Sequence, residues 1–126
     1  MEAMRHNERL GYNDNEWQLV KTQLKNVLVN TARKEKLITY KDLSFALDPQ
    51  KFPPNSEALS ALLYEVTREE FLSGKGLITA VVVKTGPIPF PGDGFFKCAE
   101  ECGKRVLGRE KFWIFELKRL YSLHKK

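Results

Sequence analysis

The chain has 126 residues, a mass of 14.6 kDa, 42% apolar and 29% charged side chains, and a formal net charge of +5. These values describe one globular domain and exclude a disordered chain. The longest apolar run, Leu77 to Val83, is only 7 residues long and includes Thr79, against the roughly 18 that a membrane span needs. Two cysteines are too few for a disulfide scaffold, and Met1 to His6 lack the apolar stretch of a secretory signal. A cytoplasmic protein that does not enter the membrane is expected.

Residues 1–12 show no periodicity and read as a flexible N-terminal arm, leaving 13–126 as a single domain. Asn13 is a good helix N-cap, with Glu16 placed to complete a capping box. Trp17, Val20, Leu24, Val27, Leu28 and Thr31 then recur at helical spacing, so a long amphipathic helix is predicted over residues 14–35. Leu37-Ile38-Thr39 is short and β-prone. Thr39 caps a second predicted helix, Tyr40 to Leu47, which turns Leu43, Ala46 and Leu47 to one side and stops at Asp48-Pro49. Ser56 or Asn55 caps a third, Glu57 to about Leu72, with a stripe of Leu59, Leu62, Leu63 and Val66 and a stop at Gly74 and Gly76. Leu77 to Lys84 is the strongest strand signal, apolar on both faces. Thr85 to Gly94 is rich in Pro and Gly and reads as a loop. Phe95 to about Gly103 and Arg109 to Leu123 are the last two predicted helices. The expected fold is α+β and helix-rich: a small β-sheet with a C-terminal amphipathic helix.

Helix, short β segment, helix, turn, helix, strand, loop is the order of a winged helix–turn–helix. A winged-helix-like core is therefore expected over residues 14–90, with Leu37 to Thr39 beside Leu77 to Lys84. Ile38-Thr39-Tyr40-Lys41-Asp42-Leu43 resembles the strand-to-helix opening of the DNA-binding domain of alkylguanine alkyltransferases and alkyltransferase-like proteins. That family's Pro-Cys-His-Arg nucleophile segment is absent, and Val82-Val83-Lys84-Thr85 holds no cysteine, so alkyl transfer is not carried over. Residues 59–123 also resemble small uncharacterised bacterial proteins. The shared pattern is Leu59-Ser60-Ala61-Leu62-Leu63, Glu65, Gly74, Leu77, Ala80-Val81-Val82-Val83, Gly94-Phe95-Phe96 and Phe112-Trp113. It implies a shared fold and no chemistry.

Charge is unevenly distributed. Residues 103–126 hold eight basic side chains against two acidic ones, leaving 13 against 14 in the rest of the chain. Arg33, Lys34 and Lys36 form a second basic group. Together with Lys104, Arg105, Arg109, Lys111, Lys118 and Arg119 they are the candidates for contact with nucleic-acid phosphates. The third helix carries Glu57, Glu65, Glu69 and Glu70 against Arg68, a charge that phosphate would repel, so groove reading through it is not expected.

On the last helix, Trp113, Ile114, Leu117, Leu120 and Tyr121 make the expected core face, with Phe112, Phe115 and Leu123 outside it. Phe112 and Phe115, with the acidic Glu65 and Glu69, are candidates for contact with another protein, a second copy of the chain included. Gly92 and Gly94 before the Phe95 helix are candidates for an anion, with Asp93 as an ordinary N-cap the alternative.

Cys98 and Cys102 stand one helical turn apart, but His6 and His124 are the chain's two histidines and both lie near the termini. No metal site is expected, and the cysteines read as buried packing residues. Glu65, Glu69 and Glu70 could do acid–base work; the alternative is a solvated face paired to Arg68 or Lys75. No catalytic residues and no cofactor are assigned. The expected role is a non-catalytic binding module for nucleic acid, or alternatively for a protein.

Overall fold

The computed structural model describes residues 8–9 and 11–125. Among these, the chain forms five α-helices: α1 (Asp14–Arg33), α2 (Tyr40–Leu47), α3 (Glu57–Leu72), α4 (Asp93–Glu101) and α5 (Arg109–His124). Four two-residue strands complete the structure. β1 (Glu8–Arg9) pairs antiparallel with β2 (Tyr12–Asn13), and β3 (Ile38–Thr39) pairs parallel with β4 (Val82–Val83). The fold is α+β and helix-rich, and no helix among the described residues is long and apolar enough to cross a membrane.

Capping chemistry sets the helix starts. Asn13 Oδ1 accepts the Glu16 N–H at 2.8 Å, Thr39 Oγ1 the Asp42 N–H at 3.1 Å, and Ser56 Oγ the Leu59 N–H at 3.1 Å. Each satisfies one of the donors that a helix N-terminus leaves open. α1 ends at Arg33 and turns through Glu35, which adopts φ +54° while the Lys36 N–H reaches the Thr31 carbonyl at 3.1 Å. Of the arm expected over residues 1–12, residues 1–7 and 10 lie outside the described residues. Tyr12, however, stacks on Phe52 with ring centroids 4.8 Å apart, and its hydroxyl donates to the Lys51 carbonyl.

The strand expected over Leu77–Lys84 is shorter than its apolar run. Ile78–Val81 is a fully buried 3₁₀ turn touched by α1, α3 and α5, and only Val82–Val83 is extended. The reason is the supply of backbone partners: β3 offers two residues, Ile38 opposite Val82 and Thr39 opposite Val83. The turn instead meets its own needs, with the Ala80 N–H on the Leu77 carbonyl at 2.9 Å. Trp113 Nε1–H closes the Ala80 carbonyl at 2.7 Å. The core built around this turn takes Trp17, Leu24 and Leu28 from α1, Leu43 from α2, Leu59, Leu62 and Val66 from α3, Phe96 from α4 and Leu120 from α5.

Two expected helix faces are corrected. On α2, Ala46 is exposed and Ser44 is buried in its place, donating to the Phe52 carbonyl at 2.6 Å. On α5 the buried line is Trp113, Glu116, Leu120 and His124; Ile114 is 39% exposed, whereas Phe112 is half-buried.

Candidate functional site

A groove of about 550 Å³ opens where α2, α3, β4 and α4 converge. Its apolar wall includes Leu63, Val82 and Phe95, and Tyr40, Ser60, Tyr64, Lys84 and Lys97 also line it. At its base Thr67 and Thr79 hydroxyls lie 2.7 Å apart, and Thr67 Oγ1 donates to the Leu63 carbonyl at 2.7 Å. That chain satisfies both hydroxyls internally. Tyr40 Oη accepts the Gly92 N–H at 3.3 Å, and its own proton has no acceptor among the described residues. Burial raises the Tyr40 phenol above its ordinary range; Gly92 opposes the shift and Asp93 adds to it, so the group is a neutral donor. Tyr64 Oη donates to Glu101 Oε1 at 2.5 Å, and Arg68 Nη1 donates to the same hydroxyl oxygen at 3.2 Å. Cys98 also lines the groove. Burial first, then the neighbouring Cys102, pushes its thiol up to about 12, so it is no nucleophile at neutral pH.

Gly92 and Gly94 line this same groove. The N-cap is Gly92, not Asp93, and no side chain caps the helix. Asp93 is the first helical residue. Its carboxylate accepts from Arg109 Nη1 at 2.8 Å, and Arg109 holds it below the usual carboxylate range. The Arg109 guanidinium also stacks 4.7 Å from the Phe96 ring centroid.

The basic candidates divide into two groups. Lys104 and Arg109 are engaged in ion pairs: Lys104 Nζ sits 3.3 Å from Glu116, a carboxylate 3% exposed, and Arg109 pairs with Asp93 at the surface. Arg33, Lys34, Lys36, Arg105, Lys111, Lys118 and Arg119 are exposed. Tyr121 Oη donates to the Lys36 carbonyl at 2.8 Å, which docks the C-terminal half of α5 on the end of α1. Lys118 lies one turn before Tyr121 on the same helix face. Beside this junction a second cavity of about 240 Å³ brings Lys25, Arg33, Lys75 and His124 together around Glu70. His124 Nε2 lies 3.2 Å from the Lys75 carbonyl. The Tyr121 contact thus ties the turn that carries Lys34 and Lys36 to the C-terminal half of α5, whereas Arg105 and Lys111 lie towards the other end of its 16 residues, about 24 Å long.

The α3 carboxylates face α1, not Arg68 or Lys75. Glu65 accepts from Trp17 Nε1 at 3.1 Å and from Lys21 Nζ at 3.3 Å; Glu69 pairs with Lys21 at 2.7 Å and Glu70 with Lys25 at 2.9 Å. Burial alone would lower the Lys21 pKa; hydrogen bonds and charge from Glu69 and Glu65 outweigh it and raise the value. Phe112 packs its ring 6.2 Å from Phe95 and 6.3 Å from Phe96, so of the two aromatic candidates it is Phe115, 63% exposed, that presents a face to solvent. Among the described residues no group of three or more His, Cys, Asp or Glu could hold a metal ion. Cys98 and Cys102 are free thiols, and His6 lies outside the described residues.

Glu116 and His124 escape a sequence reading that ranks α5 by hydrophobicity. The available signal is position: Glu116 falls three residues after Trp113 and four before Leu120, on the buried line itself. Comparison with protein-family models, curated proteins and solved structures finds no match for this chain.

Proposed function

We propose that the chain is a non-catalytic cytoplasmic module that contacts nucleic-acid phosphates, using the surface where the end of α1 meets the C-terminal half of α5. The observation that supports this reading is the Tyr121–Lys36 hydrogen bond of 2.8 Å, which ties the turn after α1 to the helix that carries Lys118. Cations held at the end of one helix and along another match a phosphate backbone without needing base contacts. In this reading the core is winged-helix-like by its order of elements. The loop over residues 85–89, closed by the Lys84 N–H on the Phe90 carbonyl at 2.9 Å, takes the place of the wing. The α3 carboxylates, paired to Lys21 and Lys25, are not the reading head.

Fluorescence anisotropy with labelled single-stranded DNA, duplex DNA and RNA tests the proposal. Affinity should fall steeply with salt, and with about four phosphates contacted the log–log slope for duplex should be roughly −3 to −4. An Arg33→Glu, Lys36→Glu variant should lose most of that slope. Absence of binding at low salt, or a slope the variant leaves intact, refutes it. A second reading, a surface for another protein or a second copy of the chain, is favoured by the neighbouring exposed Ile114 and Phe115. It predicts self-association that Phe115→Ser abolishes in light scattering.

A further inference from the structure

The larger groove shares no lining residue with the basic α1–α5 surface, so its occupant is a separate question. Its volume of about 550 Å³ falls within the roughly 300–1,000 Å³ of small-molecule sites. The hydroxyls of Thr67 and Thr79 at its base satisfy each other and the Leu63 carbonyl, so that wall offers no free donor to a polar guest. Leu63, Val82 and Phe95 favour an apolar body.

The rim is different. Lys84 and Lys97 come from separate elements, both are exposed, and neither has an ion-pair partner among the described residues. Asp93 lies close enough to feel both charges, but its carboxylate is held by Arg109 at 2.8 Å. The one carboxylate lining the groove, Glu101, is held by Tyr64 at 2.5 Å. Tyr40 adds an O–H with no acceptor among the described residues. An apolar wall beside two unpaired cations and a neutral donor is complementary to one kind of guest.

We propose that this groove is a binding site for a small amphipathic anion, with its ring-sized apolar body against Leu63, Val82 and Phe95 and its carboxylate, sulfonate or phosphate head at Lys84, Lys97 and the Tyr40 hydroxyl. The two lysines select for charge and the wall for the apolar body.

Two fluorescent probes of matched shape separate these contributions: the anionic 1-anilinonaphthalene-8-sulfonate and the neutral N-phenyl-1-naphthylamine. The wild-type chain should bind the anion saturably at one site, with a micromolar Kd. Lys84→Glu with Lys97→Glu should weaken the anion by about tenfold or more and change the neutral probe less than about twofold. Ser60→Trp, on the groove's α3 wall, should abolish both. Near-UV circular dichroism confirms that each variant keeps its packing. No saturable binding to the wild type overturns the proposal. So does equal loss of both probes on charge reversal, or undiminished binding in the Ser60→Trp variant.

Discussion

Lys25→Met should be the most informative stability variant of this protein. Glu70 is 1% exposed, its Oε2 lies 2.9 Å from Lys25 Nζ, and its Oε1 is buried with no hydrogen-bond partner. At 2.9 Å and an effective dielectric of about 20, the gross attraction is about 6 kcal/mol. Much of it offsets the desolvation of the carboxylate, and the Lys25 side chain is 45% exposed, so the net is smaller. Removing the ammonium leaves a buried anion with neither oxygen paired. Breaking such a buried pair from one side costs about 3–5 kcal/mol, and with Lys25 part-exposed the expected loss is about 2–4 kcal/mol. Glu70→Leu removes the charge and the orphan oxygen together and leaves Lys25 free to turn into water. It should be neutral within about 1 kcal/mol, or stabilising. Urea melts followed by the fluorescence of the buried Trp17 and Trp113 measure both variants. A Lys25→Met loss below about 0.5 kcal/mol, or a Glu70→Leu variant less stable than Lys25→Met, would refute the reasoning.

Three further outcomes follow from the same geometry. Cys98, with its thiol raised to about 12 from 9.0, should hold about a thousandfold less thiolate at neutral pH than a free thiol. Native-state iodoacetamide labelling at pH 8, read by mass spectrometry, should spare it until the chain is unfolded. Because that shift and those of Tyr40 and Tyr121 are upward, their stabilisation is complete below the unfolded pKa values and is lost as pH rises through the folded ones. Thermal melts should therefore fall from about pH 9 upward, and phenolate absorbance should show three tyrosines ionising late, since Glu101 beside the exposed Tyr64 raises that phenol too. Gly76→Ala should cost about 2–3 kcal/mol and Gly74→Ala only about 1, measured by urea melts. Both have positive φ, +83° and +77°, but a Cβ at Gly76 lands 3.1 Å from Leu123 and 3.3 Å from the fully buried Leu120, whereas Gly74 faces open space. Equal losses would show that backbone strain alone, without the Leu120 contact, sets the cost.

Legibility in this sequence tracks how local each cause is. The bounds of α2 and α3 follow from Thr39 and Ser56, whose side chains act within their own first turn, and from Asp48 and Gly74 just beyond. The pairing of Ile38-Thr39 beside Val82-Val83 also follows from the order of elements. Ile78–Val81 does not: an apolar run records burial on all sides, and a buried 3₁₀ turn and a buried strand are equally apolar. Ser44, Glu116 and His124 are hidden for a related reason. Each is buried because a distant group meets its polar atom, namely the Phe52 carbonyl, Lys104 and the Lys75 carbonyl. Hydrophobicity along one helix contains no trace of those partners. The groove is still less local, since Tyr40, Leu63, Lys84 and Lys97 come together only when four elements do.

The same distinction changes what the basic C-terminus means. A count of charges treats Lys104, Arg109, Lys118 and Arg119 alike, yet the fold does not. Lys104 neutralises Glu116, a carboxylate that would otherwise be buried alone, and Arg109 holds α4 to the start of α5 through Asp93 and the Phe96 ring. Lys104 is structural, and replacing it should reduce stability before it reduces any affinity, whereas the exposed Arg109–Asp93 pair contributes little. Lys118 and Arg119 are exposed beyond the Trp113 anchor, and Tyr121, one turn after Lys118, donates to the Lys36 carbonyl. Part of the positive charge is therefore engaged within the fold, and the rest stays exposed at Arg33, Lys34, Lys36, Arg105, Lys111, Lys118 and Arg119. Salt dependence measured on Lys104→Met and on Lys118→Met separates the two roles: the slope should change with Lys118 and not with Lys104.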